Sequence, residues 1–471
     1  DLYTQESYAK LEAAMDAAAI ALAQAETQEE IDGALAALQE AIDGLKEIED
    51  TRITVEEDYT GGAGGTQWSS AYEEKDGSLQ FNVPAGKSVI NENEKLAKLD
   101  AGLYTYRIKT DSKGRFGVSF NGNAVYSEKA GTYKIKNLKS GGEAVIAEEN
   151  LELQADTWYE IKIIKNMEIF RLYADGLVIA SEERDDLASE AGQIGLYNPS
   201  GQTMDMQIAA CEGYELYNYK NDFSSPDSLG EWELENASVS YAEEGELNGS
   251  GEAAVKLQGV SRAIAKGTPK ISDGIYEFDI RENADVGSGR LGFMFRAAGL
   301  DRFEQIYHDT GSTWGVRTKV PGSSQEWAQQ DTFANGIDFA ENENHHIRME
   351  VEGDSIKLWI DDAYAGAVNL ARNPVKGHFG LLKWYTGADV RLDNLQIRET
   401  IEIRPEMQEP DPLTLENKKM KVTLDRNFPY IIQYEMNGKT LQGNKEGQNA
   451  VLINGETYYP SVSCKEEKDK A

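Results

Sequence analysis

Aromatic and hydrogen-bonding side chains are concentrated in a stretch just beyond the middle of the chain. A flat Trp or Tyr ring can stack on the apolar C–H face of a sugar, while polar neighbours bind its hydroxyl groups. The predicted carbohydrate-binding residues are Tyr307, His308, Asp309, Trp314, Arg317 and Trp327, with Arg296 and Trp384 from flanking segments. We predict that Tyr307, Trp314 and Trp327 act as platforms and that the polar residues bind hydroxyl groups.

Local patterns support this site and also provide its main competing interpretation. Trp314 follows a Gly-Ser-Thr run typical of a loop, so we expect it near a strand end, where binding residues gather. Arg296 alternates with Phe293 and Phe295, and it is therefore predicted to face the opposite side, along a concave sheet. The alternative is that these tryptophans fill the core between two sheets, which is favoured for Trp359 in the middle of Lys-Leu-Trp-Ile.

Residues for hydrolytic or metal chemistry do not form a recognisable motif. The adjacent pair His345 and His346 would point to opposite faces of a strand, so they cannot share a metal. A glycosidase needs two facing carboxylates about 5–9.5 Å apart. Asp309 and Glu326 are candidates, but 82 acidic residues make chance pairs common. No catalytic residue and no metal ligand is therefore assigned, although Ca²⁺ is compatible with a jelly roll rich in oxygen ligands.

The charge balance excludes whole classes of partner. The chain has 471 residues, with 47 Lys and Arg against 82 Asp and Glu, which gives a net charge of −35. Such a surface repels nucleic acids and anionic membranes. Its most apolar stretch, Ala17–Ala23, is far shorter than the roughly 20 residues that span a bilayer. Two cysteines far apart in the sequence indicate neither a disulfide scaffold nor a zinc protein.

The first 50 residues differ in composition from all that follow. Apolar residues recur at helical spacing, as in Ile31, Leu35, Leu38 and Ile42. Thr27 and Glu30 have the spacing of a capping box, which marks the start of a helix. The segment 1–50 is therefore predicted to be a helical hairpin, with a spacer role.

From residue 51 the pattern changes to short alternating strands separated by Gly-rich turns, which favours an all-β sandwich. Landmarks then repeat in the same order: Gly102–Ile108 and Gly114–Phe120 recur as Gly274–Ile280 and Gly289–Phe295. We predict two homologous sandwiches, 51–220 and 221–400. The region of the first that matches the binding stretch has Asn121, Asn123 and Tyr126 but no Trp, so it should bind more weakly or bind something different.

The C-terminal part of the chain begins with prolines. Residues 401–412 are acidic and contain Pro405, Pro410 and Pro412, which predicts a stiff linker. Alternating strands resume at residue 413 and give way to a polar tail. Because so few residues cannot close a sandwich of long strands, residues 413–471 are predicted to be the truncated start of a further β-sandwich domain.

Three resemblances to known families follow from these motifs. The hairpins with Asp-Gly or Asp-Asp turns at 175–176 and 361–362 resemble those of laminin-G and concanavalin-like jelly rolls. Residues 1–50 resemble a FIVAR module, a companion of large surface or secreted carbohydrate-active proteins of Gram-positive bacteria. The segment Val422–Tyr434, with Ile453-Asn-Gly-Glu, resembles the opening of endo-α-N-acetylgalactosaminidases, glycoside hydrolase family 101, whose β-rich domain precedes a catalytic barrel.

These resemblances imply a non-catalytic, extracellular or cell-surface region that holds mucin-type O-glycans (Gal-β-1,3-GalNAc-α-Ser/Thr) near a downstream catalytic domain. The expected partners are glycans and that domain, without nucleic acid or membrane insertion. Two alternatives remain. The modules brace the catalytic domain without binding sugar, or a jelly roll is itself a hydrolase, so whether this chain is an enzyme stays open.

Overall fold

The computed structural model describes residues 10–11, 14–15, 17–18, 27–44, 52–129, 131–188, 194–247, 251–284, 291–309, 313–320, 329–334, 337, 339–370, 375–384, 387–406, 411–416, 419–428, 430–443, 449–453 and 456–459. The chain separates into two compact units, Asp1–Arg52 and Ile53–Ala471. Among the described residues, none of the helices is both long and apolar enough to cross a membrane.

The N-terminal unit is helical. Helix α1 spans Gln28–Asp43 and begins at a capping box, in which Thr27 and Glu30 each accept a hydrogen bond from the other's backbone N–H. This confirms the predicted helix start. The described residues between 10 and 18 are also helical, and most of the predicted hairpin's first helix lies outside the described residues. Leu35 on the apolar stripe of α1 is 63% exposed.

The first sandwich contains strands β1 (Thr54–Asp58), β2 (Glu73–Lys75), β3 (Ser78–Val83), β4 (Ser88–Ile90), β5 (Gly102–Thr110), β6 (Phe116–Phe120), β7 (Asn123–Lys129), β8 (Thr132–Asn137), β9 (Glu143–Ala147), β10 (Tyr159–Asn166), β11 (Ile169–Ala174), β12 (Leu177–Glu183), β13 (Gly195–Tyr197) and β14 (Met204–Glu215). One sheet has the order β12-β11-β10-β5-β14-β3-β2, with β1 also on β14. The other has the order β4-β13-β6-β7-β8-β9.

The second sandwich contains strands β15 (Asn218–Asn221), β16 (Trp232–Ala242), β17 (Glu252–Ala265), β18 (Asp273–Ala284), β19 (Leu291–Gly299), β20 (Arg302–His308), β21 (Thr313–Lys319), β22 (Gln329–Ala334), β23 (Asn344–Glu352), β24 (Ser355–Ile360), β25 (Ala363–Asn369), β26 (His378–Lys383) and β27 (Ala388–Thr400). Their order is β22-β21-β20-β19-β26-β17-β27-β18-β23-β24-β25, with β15 on β27 and β16 on β17.

The two sandwiches share one strand order, and they differ where the two layers join. In the second, the long strand β17 pairs with β27 through its first half and with β26 through its second, so that the two layers form one curled sheet. Gly259, with φ +69°, lies between the halves. In the first, the corresponding strands β3 and β4 are separated by a turn at Pro84, which lacks a backbone donor.

Aromatic rings dominate the core of the second sandwich. Phe278 lies 5.1 Å from both Phe293 and Phe379, and Phe293 lies 6.0 Å from Trp314, measured between ring centres. These side chains alternate along their strands with residues on the opposite face, as the period-2 pattern predicts. The prediction of a mainly β protein with jelly-roll sandwiches and an N-terminal helical segment is confirmed.

The two sandwiches dock against each other through a buried junction. Ile164, Tyr173 and Leu216 of the first sandwich form an apolar cluster that also includes Ile403. The buried amide of Asn166 donates to the backbone oxygens of Tyr217 and Glu399, each 2.9 Å away. Ile403 belongs to the predicted linker 401–412. The described start of that segment therefore packs on the first sandwich.

The last described elements are two small antiparallel sheets. Their strands are β28 (Pro412–Glu416), β29 (Met420–Asp425), β30 (Ile431–Met436), β31 (Lys439–Gln442), β32 (Val451–Ile453) and β33 (Glu456–Tyr458). Strands β28 to β31 form one sheet, and β32 and β33 form the other. Leu441 is 67% exposed and Ile453 is 53% exposed, so these strands carry apolar side chains in solvent.

We expect the second sandwich to lose stability in acid because of His378. This imidazole is buried, and its Nδ1–H donates to the Thr268 carbonyl oxygen, 2.6 Å away. Burial lowers the pKa of His378 from 6.5 to about 4. The unfolded state therefore binds this proton more tightly than the folded state does. The free energy of unfolding falls as the pH drops from about 6.5 towards 4, and the loss due to His378 is about 2 kcal/mol at about pH 5. Thermal unfolding of the wild type and of His378→Asn across this range measures the effect.

A second histidine provides a control of opposite sign. The hydrogen bond from His346 Nδ1 to Asp279, 2.8 Å long, raises the pKa of His346. That stabilisation is complete below the unfolded pKa of about 6.5 and is lost as the pH rises through the higher folded value. His378→Asn should flatten the acid loss, whereas His346→Asn should steepen it. Equal slopes in the wild type and His378→Asn would rule out His378 as the cause.

Candidate functional site

Three of the predicted residues meet on the side of the second sandwich's curled sheet that faces away from its core. Tyr307 comes from β20, Arg317 from β21, and Trp384 directly follows β26. The Arg317 guanidinium carbon lies 4.6 Å from the centre of the Tyr307 ring and 5.5 Å from that of Trp384. A planar cation stacked on two aromatic rings is held in one orientation and keeps N–H donors at its edges.

Two glycines make room for this stack. Gly292 and Gly315 are the cross-strand partners of Tyr307 on either side. A Cβ at Gly315 would lie 2.5 Å from the Tyr307 hydroxyl oxygen, so the phenol ring lies directly over that strand. The Tyr307 side chain can therefore lean across β21 towards Arg317 only because residue 315 has no side chain.

Gln305 completes the cluster, which we call the stacked face: Gln305, Tyr307, Arg317 and Trp384. Gln305 is the register partner of Arg317 and is fully buried. Neither its amide nitrogen nor its amide oxygen has a hydrogen-bond partner among the described residues. Leaving a buried donor and acceptor unpaired costs roughly 1–3 kcal/mol, and buried polar groups in native proteins usually have a protein or water partner.

The stacked face is largely withdrawn from solvent. Tyr307 has no exposed surface, whereas Arg317 keeps 6% and Trp384 keeps 7% of theirs. An apolar cluster that includes Met294, Phe303 and Leu382 supports Trp384 from below. Only the edges of Arg317 and Trp384 therefore reach the surface.

Two other predicted residues belong to the core side of the sheet. Trp314 has no exposed surface, and its ring packs against Phe293 and Phe339, with centres 6.0 and 5.8 Å apart. His308 is half-buried beside it, 5.2 Å from the Trp314 ring. The alternation of β21 puts Trp314 and Val316 inside and Arg317 outside, so Trp314 does not serve as an exposed platform in this structure.

Arg296 does not line the concave sheet as the sequence predicted. It is fully buried, 2.8 Å from Glu304 and 3.1 Å from Asp273, and it donates to the backbone oxygen of Gly353. The cause is a bulge: pairing between β19 and β26 shifts after Met294, and Arg296 adopts φ +49°. A bulge breaks the period-2 alternation on which the prediction depended.

Asp309 is not brought into the stacked face. Asp309 lies at the turn after β20, where its backbone N–H donates to the Thr313 carbonyl oxygen, 2.8 Å away. Trp327 lies outside the described residues, as does Glu326, the proposed carboxylate partner of Asp309.

The first sandwich has a related but different face. Tyr126 pairs with Gly117 just as Tyr307 pairs with Gly292. On the next strand, Lys134 replaces Gly315, and its ammonium group lies 6.0 Å from the centre of the Tyr126 ring. Tyr197 lies 5.4 Å from Tyr126 on the other side. The first sandwich therefore repeats the tyrosine without the stacked arginine and tryptophan.

The asparagines named in the first sandwich serve the fold. Asn121 donates to the Asp100 carbonyl oxygen at 2.8 Å, and Asn123 donates to the backbone oxygens of Asn121 and Ala188. Within the described part of the chain, no group of three or more His, Cys, Asp or Glu side chains is placed to hold a metal ion.

Sequence reasoning missed Trp359, which it favoured as a core residue. In β24, Ile356, Leu358 and Ile360 are buried, whereas Trp359 points to the other face and is half-buried. There it lies 5.3 Å from the ring of Tyr364, which is 48% exposed. The period-2 pattern of β24 indicates that Trp359 faces away from the core, because three aliphatic residues at alternate positions define the core face.

Comparison with known families gives a match at the C-terminus. Residues 415–471 match the family model described as a galactose mutarotase-like fold domain. A search with the sequence against curated proteins found no significant match.

Among solved structures, the chain is similar to a carbohydrate-binding module of Bacillus subtilis, CBM66, with 21% identity, a TM-score of 0.30 and coverage of 36% of this chain and 97% of that chain. It is similar to a β-glucanase of Bacillus licheniformis, with 13% identity, a TM-score of 0.28 and coverage of 39% and 98%. It is also similar to a GlcNAcα1-4Gal-releasing endo-β-galactosidase of Clostridium perfringens, with 9% identity, a TM-score of 0.31 and coverage of 52% and 88%. At these identities the likeness is one of fold.

Proposed function

We propose that the second sandwich binds carbohydrate through the stacked face. The observation that carries this proposal is the guanidinium of Arg317 stacked on the rings of Tyr307 and Trp384, beside the buried amide of Gln305, which has no hydrogen-bond partner among the described residues. A sugar can offer a hydroxyl oxygen to the exposed edge of the Arg317 guanidinium and a C–H face to the exposed edge of the Trp384 indole.

Prior ordering of the stacked face reduces the cost of binding. Side chains that are already immobilised lose little rotamer freedom when a ligand arrives. Because the contact surface is small, we expect weak affinity for an isolated module, with avidity supplied by tandem modules and tethering. The first sandwich, with Lys134 in place of Gly315, should bind more weakly or bind a different sugar.

The wider proposal is that this chain is the non-catalytic, carbohydrate-binding and spacer region of a large secreted or cell-surface bacterial glycoside hydrolase. The proposed substrates are mucin-type O-glycans (Gal-β-1,3-GalNAc-α-Ser/Thr). Three features support it: the resemblance of residues 1–50 to a FIVAR module, the resemblance of the C-terminal segment to glycoside hydrolase family 101, and the match of residues 415–471 to a galactose mutarotase-like fold domain.

A bracing role is a second candidate, and the close contact between residues 404–405 and the first sandwich favours it. Residues Arg404 and Pro405 pass so close to the hairpin of β11 and β12 that a Cβ at Gly176 would lie 2.5 Å from their backbone atoms. A chain that enters the C-terminal segment in a fixed position is suited to hold a following domain. Small-angle scattering of a longer protein, compared with its Ile403→Asp variant, would detect loss of that bracing as an increase in radius.

Changes in the stacked face should weaken glycan binding without unfolding the protein. Arg317→Lys keeps the charge but loses the planar stack, so we expect about tenfold weaker binding. Gln305→Leu should also weaken binding, while its stability stays equal or rises, because an unpaired buried amide is replaced by an apolar group. Isothermal titration of the full chain with Gal-β-1,3-GalNAc, together with thermal unfolding, measures both quantities.

The matched control is Trp158→Ala, which removes a half-buried tryptophan from the first sandwich, where it contacts Lys109. It should leave glycan binding unchanged. If Arg317→Lys and Gln305→Leu bind like the wild type, or if Gln305→Leu is strongly destabilised, the stacked face serves stability and not recognition.

A further inference from the structure

A cleft of about 330 Å³ lies between the two sandwiches, on the outer faces of β11 and β12 from the first and of β23 and β24 from the second. Its size falls within the range of small-ligand sites. Both sandwiches supply walls, among them Arg171, Ser181 and Glu182 from the first and Arg348, Glu350 and Trp359 from the second. The cleft therefore exists only while the two sandwiches are docked.

The cleft contains a half-buried indole, Trp359, flanked by side chains from the strands on both sides of β24. The Arg348 guanidinium carbon lies 5.6 Å from the centre of the Trp359 ring, and Tyr364 lies 5.3 Å from that centre at a tilt of 54°. Trp359 is not part of the core cluster formed by the neighbouring residues Leu358 and Ile360. A large aromatic ring left half-exposed in a concave site is characteristic of a binding surface.

Ion pairs across the junction fix both arginines. Arg348 contacts Glu183 of the first sandwich and lies 2.7 Å from Glu277 and 2.6 Å from Glu350. Burial opposes this charge, but the carboxylates of Glu183 and Glu350 raise the pKa of Arg348. Arg171 of the first sandwich lies 2.8 Å from Glu352 of the second. These contacts hold guanidinium donors and carboxylate acceptors at fixed places around Trp359.

The charges of the lining select the kind of ligand. Four carboxylates, Glu182, Glu183, Glu350 and Asp362, line the cleft together with the two arginines. An excess of carboxylates disfavours sulfated, phosphorylated or sialylated ligands, because like charges repel in a partly desolvated site. Carboxylates accept strongly from hydroxyl groups, and guanidinium groups donate to ring and glycosidic oxygens.

We infer that this cleft is a second carbohydrate site, which takes a short neutral saccharide packed against Trp359. It shares no residue with the stacked face, so either site can exist without the other. Its ligand contacts both sandwiches at once, and a ligand that binds only the docked arrangement stabilises that arrangement. Occupancy therefore fixes the sandwiches relative to each other, a property that a site within one sandwich lacks.

The test uses the full chain and the neutral sugars galactose, N-acetylgalactosamine and Gal-β-1,3-GalNAc, with sialic acid as the anionic comparison. We expect Trp359→Ala to weaken cleft binding of a neutral sugar about tenfold, and Glu350→Gln to weaken it less. Arg317→Lys in the stacked face should leave cleft binding unchanged. Isothermal titration of the three variants separates the two sites.

Hydrogen exchange tests the cleft site in the wild-type protein, so its result does not depend on whether a variant folds. In the wild type, a neutral sugar should increase protection of Leu177–Glu183 in β12 and of Ser355–Ile360 in β24 together. No protection at either strand with any of these sugars, or unchanged binding by a folded Trp359→Ala, would overturn the cleft site. Tighter binding of sialic acid than of the neutral sugars would overturn its proposed selectivity. If Arg317→Lys does not weaken glycan binding but Trp359→Ala does, the stacked-face proposal is wrong and the cleft proposal is supported.

Discussion

Replacing Arg296 with alanine is expected to destabilise the second sandwich by about 3–5 kcal/mol, because it leaves buried carboxylates without their cation. Arg296 and Glu304 have no exposed surface, and Asp273 has little. The guanidinium also donates to the backbone oxygens of Ser272 and Gly353. Asp273 in turn accepts from the Gly353 N–H at 2.7 Å, so one substitution disrupts a whole network.

Chemical denaturation of the Arg296→Ala variant measures this loss. Arg184→Ala is the control, since Arg184 pairs with the exposed Asp186 at 2.7 Å. Ion pairs at the protein surface contribute about 0–1 kcal/mol. If Arg296→Ala loses as little stability as Arg184→Ala, Arg296 is not a structural residue, and the prediction that it contacts a ligand is favoured instead.

The second large effect is expected for Trp314→Ala, which should cost about 3–5 kcal/mol through lost burial and the cavity left behind. Trp314 is fully buried among Phe293, Phe339 and His308. These rings hold β19 and β21 to the segment that precedes β23. The cavity left by the Trp314 ring cannot easily close, because each of the surrounding rings also packs on others in the same cluster.

Trp359→Ala is the matched control for Trp314→Ala, since it removes the same side chain from a half-buried position. It should cost far less stability, within about 1 kcal/mol for a partly exposed site. Equilibrium unfolding of both variants makes the comparison. A Trp314→Ala protein with nearly wild-type stability and no glycan binding would show that Trp314 is a platform after all.

Much of the fold was accessible from local pattern. The helical spacing of Ile31, Leu35 and Ile42 predicted α1, and Thr27 with Glu30 predicted its start. Alternation and Gly-rich turns predicted the sandwiches. The repeated landmarks predicted two modules of one kind, and both have the same strand order. Each of these signals lies within a few residues of sequence, where backbone geometry alone sets the period.

The candidate site was only partly accessible. Tyr307, Arg317 and Trp384 were named from the sequence and meet in the structure. Trp314 was named with them and lies on the other face, because sequence proximity does not say which of two alternating positions faces the core. Arg296 was misplaced for a different reason: a bulge is set by pairing between β19 and β26, strands that lie about eighty residues apart.

The sequence by itself determined the element types and the excess of acidic residues, and it predicted two modules of one kind and a set of side chains that could bind a sugar. The tertiary structure alone decided which of those side chains converge, and it alone created the cleft beside Trp359. The physical reason is the range of the interactions. Periodicity and turn chemistry act over a few residues, whereas stacking of Arg317 on Trp384 and docking of Arg171 against Glu352 depend on pairings across 67 and 181 positions.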